Sequence, residues 1–351
     1  MKRSISIINT EIQLINVIEA IQHFECQDNY LVIGQFNIRL DRIHKIEKML
    51  EEPTFKQHFK KIIHLPLYLS NKNPLRFMGY ILAYIKFFFL ILFSKKFDCC
   101  FFGVVTDIIV KPVVYLTHYK NRNCMLCVID EGVRVMADAN DRVQNEPQLL
   151  LQQKKKIGLL YGFFLAISRK WIYPSLTYFS IYPLPLLEHD VLIKNQYDFL
   201  RNHPLDLIKL EKNSIVIVGQ PCAELKITTL EVYKRIVLRF ISQHPDCQIY
   251  YAPHPIETDC YQWMPDQVTL LKTKYPLELL IISNTVKTLI GFNSTVLFNC
   301  AVMGICQEIY SVSLDKTDYL TLPDPDTINR LYHQLKEFGV IIVNSHFVPL
   351  D

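Results

Sequence analysis

Short apolar runs alternate with amphipathic helical patterns along almost the whole chain, and this rhythm restricts the fold more than any other feature. In the first half the runs are Ser4 to Ile8, Tyr30 to Gly34, Lys61 to Leu65, Asp98 to Gly103, Met125 to Asp130 and Thr177 to Tyr182. Between the first two, Leu14, Ile15, Ile18 and Ile21 recur at the 3.6-residue spacing of a helix. Thr10 stands before that pattern as an N-cap, with Gln13 three residues on to complete a capping box. The alternation restarts with Ser214 to Gly219, Gln248 to Ala252, Val268 to Leu271, Lys287 to Gly291, Gln307 to Val312 and Val340 to Val343, with helices expected over 228–242 and 294–303. Strand then helix, repeated, predicts a parallel sheet covered on both faces.

At 351 residues the chain is long for one such sheet. The polar, proline-containing stretch 201–213 divides it into an N-terminal Rossmann-like domain over 1–200 and a C-terminal one over 214–351. The expected architecture is α/β, two facing Rossmann-like domains with an interdomain cleft. Half of the residues are hydrophobic, which excludes global disorder. A formal net charge of +4 is too small to argue for nucleic acid, and no nucleic-acid-binding motif is present. An anionic small molecule or an anionic membrane surface suits it better.

The ten cysteines do not form a disulfide framework. Cys99, Cys100, Cys124, Cys127 and Cys247 lie in or beside strand-like runs, where reduced cysteine behaves as a small hydrophobe. The two-residue gap between Cys124 and Cys127 lacks the matching second pair of a zinc site. The amino terminus has no signal h-region, so a cytoplasmic location is expected. Phe77 to Phe93 has a single charge, Lys86, with Arg76, Lys95 and Lys96 around it. Ile157 to Ile167 lies between Lys154-Lys155-Lys156 and Arg169-Lys170. Both are short for a membrane span. Burial in the domain is the favoured expectation over a span. Peripheral contact, with the basic flanks on anionic headgroups of the inner membrane face, is its equal competitor.

Three places carry chemistry. Among the His-Pro dipeptides at 203, 244 and 254, only His254-Pro255 follows a strand, within Tyr250-Tyr251-Ala252-Pro253-His254-Pro255. Two prolines hold that histidine stiffly at the end of a strand where open α/β sheets bind ligands. An imidazole there can donate to a phosphate or protonate a leaving oxygen. Asp130-Glu131-Gly132 closes an earlier strand; one carboxylate can face a ligand as general base while the other is structural. Asn293-Ser294-Thr295 precedes an apolar helix whose unpaired N–H groups suit an anion. Gly219-Gln220-Pro221-Cys222-Ala223-Glu224 opens the second half with a glycine turn that is neither GxGxxG nor a P-loop.

In order and flanking sequence, the acidic pair with glycine, the Tyr-Ala-Pro-His-Pro stretch and the Ser/Thr pair resemble glycosyltransferase family 52, the bacterial lipooligosaccharide sialyltransferases. The resemblance spans most of the chain in motif order, although each motif is only two or three residues. It implies a GT-B fold and an inverting, metal-independent transfer from CMP-sialic acid to a terminal galactose of a lipooligosaccharide or surface glycan. By that resemblance His254 would bind the CMP phosphate and act as general acid. Ser294 and Thr295 would hold the donor's phosphate or carboxylate, and Asp130 or Glu131 would lie near the acceptor. Gly132, Gly219, Gln220, Pro221, Glu224, Pro255 and Asn293 complete the expected substrate contacts. Some family members carry an acidic residue after the Gly-x-Pro turn, where this chain has Cys222; the base is therefore open among Asp130, Glu131 and Glu224. Expected partners are the nucleotide-sugar donor, a glycolipid or oligosaccharide acceptor and a second copy of the chain as a homodimer, with no nucleic acid. The rival readings are transfer from another nucleotide sugar such as UDP-glucose, and a non-catalytic nucleotide-sugar-binding protein.

Overall fold

The computed structural model of the chain describes residues 1–34, 40–64, 76–103, 105, 110–132, 134–146, 158–202, 208–257, 260–273, 275–284, 286–320 and 324–350. It divides into two compact units, Met1–His203 and Pro204–Asp351. The expected Lys154-Lys155-Lys156 flank and the His203-Pro204 dipeptide lie outside the described residues.

The first unit holds β1 (Lys2–Ile8), β2 (Cys26–Ile33), β3 (Lys61–His64), β4 (Cys99–Phe102), β5 (Met125–Ile129), β6 (Thr177–Ser180) and β7 (Val191–Lys194). They form one sheet in the order β3-β2-β1-β4-β5-β6-β7, every neighbouring pair parallel. The chain runs outward from β1 to one edge, then returns to start β4 on its other side, so the strand order reverses between β1 and β4. The helix Glu11–His23 covers this sheet and begins as expected: Thr10 Oγ1 accepts from Gln13 N, and Gln13 Oε1 accepts from Thr10 N. Sequence reading missed β7. Its four residues, Val191–Lys194, are half-buried or exposed at the sheet edge, so they lack a continuous apolar run.

The second unit repeats the plan with β8 (Ser214–Val218), β9 (Ile249–Ala252), β10 (Val268–Leu270), β11 (Val286–Gly291), β12 (Cys306–Val312) and β13 (Ile341–Val343). Their order is β10-β9-β8-β11-β12-β13, again parallel throughout, with the reversal between β8 and β11. Helix Leu230–Ser242, capped by Thr229, packs Tyr233, Ile236, Val237, Phe240 and Ile241 into a core shared with Ile215, Ile217, Tyr251 and Phe292. The structure thus has the two parallel, doubly wound sheets that the strand–helix rhythm predicts.

The first long apolar segment is the helix Arg76–Phe93, and of the two equally weighted expectations enclosure is the one it does not meet. Phe87 and Ile91 are buried, but Leu82, Ile85, Phe89, Leu92 and Phe93 are exposed. Apolarity identified a helix here, but apolarity alone does not reveal whether another element covers a face. Among the described residues no helix is long and apolar enough to cross a membrane.

Candidate active site

In the second unit the carboxyl ends of β9, β8 and β11 are neighbours, and they carry the His254, Gly219 and Asn293 loops respectively. This edge flanks the strand-order reversal, where open α/β sheets form ligand crevices. Three turns that are distant in sequence are therefore brought to one end of one sheet.

The His254 turn is held by a carboxylate that sequence reading did not single out. Glu257 Oε2 accepts from His254 N at 2.5 Å, and Glu257 N donates to His254 O at 2.9 Å. Its other oxygen, Oε1, accepts from Tyr251 Oη at 2.5 Å. Tyr251 Oη lies 2.9 Å from Tyr233 Oη, which accepts from Gln220 N at 2.9 Å. The Tyr233 ring packs on Phe292, with centroids 5.2 Å apart. One chain of contacts consequently joins the Gly219, His254 and Phe292 loops. Burial is the largest influence on Glu257 and pushes its carboxyl up to about 7, against the opposing pull of the hydrogen bonds from Tyr251 and His254 N. A residue three positions after a His-Pro turn is the only hint of this role that the sequence offers.

The ring of His254 is oriented by its own loop. Ile256 N donates to His254 Nδ1 at 3.2 Å, so the neutral ring carries its proton on Nε2. Gly219 fits closely beneath: its N donates to Ala252 O at 2.8 Å. A side chain there would run into Glu257 Oε2 and lie 2.9 Å from both Ala252 O and Tyr251 Oη. Glycine is required at this position by space.

Beyond β11, Asn293 has φ +42°, in the left-handed region that asparagine tolerates. It is tied to β12 on both sides, since Asn293 N donates to Ser311 Oγ and Ser311 Oγ donates to Asn293 Oδ1 at 3.2 Å. Ser294 is the N-cap of helix Thr295–Met303 and accepts from Val296 N at 3.3 Å. Its hydroxyl serves the helix, whereas Thr295 is exposed at the first helical position. Pro221 is buried and Gln220 and Pro255 lie beside these turns, Pro255 exposed; Glu224 is exposed nearby and raises the Glu257 pKa by its charge. Cys222 is buried in the core, where burial pushes its thiol up to about 12. It cannot act as a base at neutral pH. His244 is a helix-end residue, its Nδ1 2.9 Å from Phe240 O.

In the first unit the two carboxylates differ as alternation along an extended chain requires. Asp130 is only 2 % exposed, and its Oδ2 accepts from Ile181 N at 2.8 Å, joining the end of β5 to the end of β6. Asn16 Nδ2 donates to Asp130 O at 2.9 Å, and Asn195 Nδ2 donates to Asn16 Oδ1 at 3.2 Å. Burial pushes the Asp130 carboxyl up to about 7 despite its hydrogen bonds with Ser180 and Ile181 N. Glu131 is half-buried and is the more accessible of the pair, with Gly132 next at φ +69° to turn the chain. Among the described residues no group of three or more His, Cys, Asp and Glu gathers as a metal cluster, and Cys26, Cys99, Cys100, Cys124, Cys127, Cys222, Cys247, Cys300 and Cys306 are free.

The Asp130 environment makes stability depend on pH. Its folded pKa of about 7 is above the ordinary 3.8, so folding holds a proton that the unfolded chain has released. The stabilisation is full below about pH 4 and is lost as pH rises through about 7. Asp130→Asn cannot ionise. Its melting temperature relative to the native chain is expected to rise between pH 5 and pH 8, by the equivalent of a few kcal/mol. Thermal melts across that range check this, and a difference independent of pH would refute it.

Three comparisons bear on this geometry. Residues 177–313 match the family model of alpha-2,8-polysialyltransferase. That range contains the Gly219, His254 and Asn293–Thr295 loops but not Asp130, Glu131 or Gly132. No curated protein matches the chain. Among solved structures, the α/β-galactoside α-2,3-sialyltransferase of Photobacterium phosphoreum aligns over 98 % of both chains at 12 % identity, with a TM-score of 0.55. A UDP-N-acetylglucosamine 2-epimerase of Listeria monocytogenes aligns over 96 % of this chain and 86 % of its own at 13 % identity, with a TM-score of 0.50. The fold is therefore of the GT-B type. Family match and fold together support a glycosyltransferase.

Proposed function

We propose that the protein is an inverting, metal-independent sialyltransferase that moves sialic acid from CMP-sialic acid to a terminal galactose of a lipooligosaccharide or other surface glycan, as family 52 enzymes do. One observation carries this reading most directly. The His254 turn, fixed by Glu257 at the carboxyl end of β9, lies within the stretch that matches a sialyltransferase family.

The chemistry required is modest. When the bond from the sugar to CMP breaks, positive charge spreads over the sugar and negative charge grows on the departing phosphate. Nε2–H of His254 would donate to a phosphate oxygen, and the N–H groups at the start of helix Thr295–Met303, with the Thr295 hydroxyl, would stabilise the same charge. A carboxylate would take the proton of the acceptor hydroxyl as the new glycosidic bond forms. Glu131 suits that role better than buried Asp130, and Glu224 is the candidate from the second unit.

The matched family name favours a second acceptor, a glycan already ending in sialic acid, to which an α-2,8-linked residue would be added. Purified protein supplied with CMP-sialic acid or UDP-glucose, and with lactose or sialyllactose as acceptor, separates the readings. Sialylated lactose is the expected product. Sialylation of sialyllactose alone would change the acceptor. Glucosyl transfer would replace the donor, and tight CMP binding without turnover would make the chain a binding protein.

A further inference from the structure

The chain has 38 Lys and Arg against 34 Asp and Glu, but the two signs are not mixed evenly. Residues 53–97, 108–129 and 147–187 contain sixteen of the cations and none of the acids. Among the helices of these stretches are Arg76–Phe93, Val110–Lys120 and Leu159–Ile167.

The three helices pack side by side. Tyr115 Oη donates to Gly158 O at 3.1 Å, and Lys111 Nζ donates to Arg169 O at 3.0 Å, so the middle helix runs opposite to Leu159–Ile167. Lys120 Nζ donates to Ile91 O and Leu92 O at 2.5 and 2.6 Å, which places the carboxyl ends of the first two helices together. Phe163 meets Tyr84 and Phe88, with ring centroids 6.3 and 5.8 Å apart, and closes the seam between the outer helices.

The two outer helices, Arg76–Phe93 and Leu159–Ile167, turn apolar sides to solvent, whereas Val110–Lys120 is buried over most of its length. Leu82, Ile85, Phe89 and Phe93 recur at helical spacing, with Phe93 79 % exposed. Leu160, Tyr161 and Phe164 do the same on the shorter helix, at 75, 65 and 64 % exposed. A patch of this kind on a soluble surface marks an interaction site. Exposed Lys95 and Lys96 follow the first helix at one end of the layer, and exposed Arg169 and Lys170 follow the third at the other. The patch is therefore mostly apolar, with exposed Lys86 inside it and further cations at both ends.

We infer that this face docks on the headgroup layer of an anionic bilayer, with the aromatic and aliphatic side chains at the acyl boundary and the lysines and arginines on lipid phosphates. A second copy of the chain is a poorer occupant. Two-fold self-pairing would set the exposed lysines and arginines at the ends of these helices against themselves, cation facing cation. A lipid surface instead supplies both the apolar layer and the opposite charge.

Flotation of the full chain with vesicles of phosphatidylcholine, with and without phosphatidylglycerol, tests the inference and needs neither donor nor acceptor. Its outcome is therefore independent of the transfer reaction. The protein is expected to float with the anionic vesicles and to be released by salt. Phe89→Ser with Phe164→Ser, and separately Lys95→Glu with Lys96→Glu, should each lower the bound fraction by about ten-fold. These positions are exposed, and unchanged melting temperatures would show that the variants fold. Absence of flotation, or flotation indifferent to both variants, overturns the inference. So does a native dimer without vesicle binding that Phe164→Ser converts to a monomer, which would assign the face to a second copy.

Discussion

His254→Ala is expected to lower kcat for transfer from CMP-sialic acid by about 10²- to 10³-fold while leaving the fold intact. The backbone bonds that shape its turn, His254 N to Glu257 Oε2 and Glu257 N to His254 O, do not involve the ring. What the substitution removes is the Nε2–H donor whose tautomer Ile256 N fixes, together with the acceptor for Ile256 N. The loss should therefore fall on the step in which phosphate charge develops, and less on binding of CMP in its ground state. His254→Gln, which keeps an N–H donor on a longer arm, should recover part of the rate. Steady-state kinetics with a calorimetric CMP affinity check this. Native kcat in the alanine variant would remove His254 from the mechanism.

Glu257→Ala should cost about 10²-fold in kcat without Glu257 touching the donor, because Glu257 positions the histidine. Its removal leaves Tyr251 Oη and His254 N without their acceptor, and the links from the His254 turn to the Gly219 and Phe292 loops with them. Glu257→Gln keeps a carbonyl for His254 N and should retain most of the rate. The two variants also differ in pH response. The folded pKa of about 7 is raised above the ordinary 4.5, so the native chain loses the associated stability as pH rises through about 7, and the glutamine variant does not. The pH profile of kcat/KM should accordingly lose its inflection near 7 in Glu257→Gln. A profile identical to the native one, or an alanine variant with full kcat, would show that the Tyr233–Tyr251–Glu257 chain is only structural.

Much of this was legible in the residues. The alternation of apolar runs with 3.6-residue patterns places every strand except the edge strand Val191–Lys194, and Thr10 and Ser294 cap the helices they precede. The chemical turns could be found because proline, glycine and asparagine impose backbone geometry on their own neighbourhoods. His254 at the end of β9, Gly132 with φ +69° and Asn293 with φ +42° are of this kind.

Other features depend on contacts that no local pattern records. Glu257 reads as a loop acid until the fold turns it back onto His254 N and places Tyr251 and Tyr233 behind it. Asp130 and Glu131 are neighbours of the same chemical type; the packing of β6 against β5 makes Asp130 a buried tie, while Glu131 is half-buried. Cys222 stands where a base is expected, and the core that closes over it excludes that role. The Arg76–Phe93 helix shows the same division, since its apolar sequence suits enclosure and peripheral contact equally. Periodicity and turn chemistry, which act over a few residues, determined the elements and their ends. Which faces are covered, which carboxylates are desolvated and which turns share a sheet edge were decided by long-range packing. Burial is a property of the neighbours a side chain acquires.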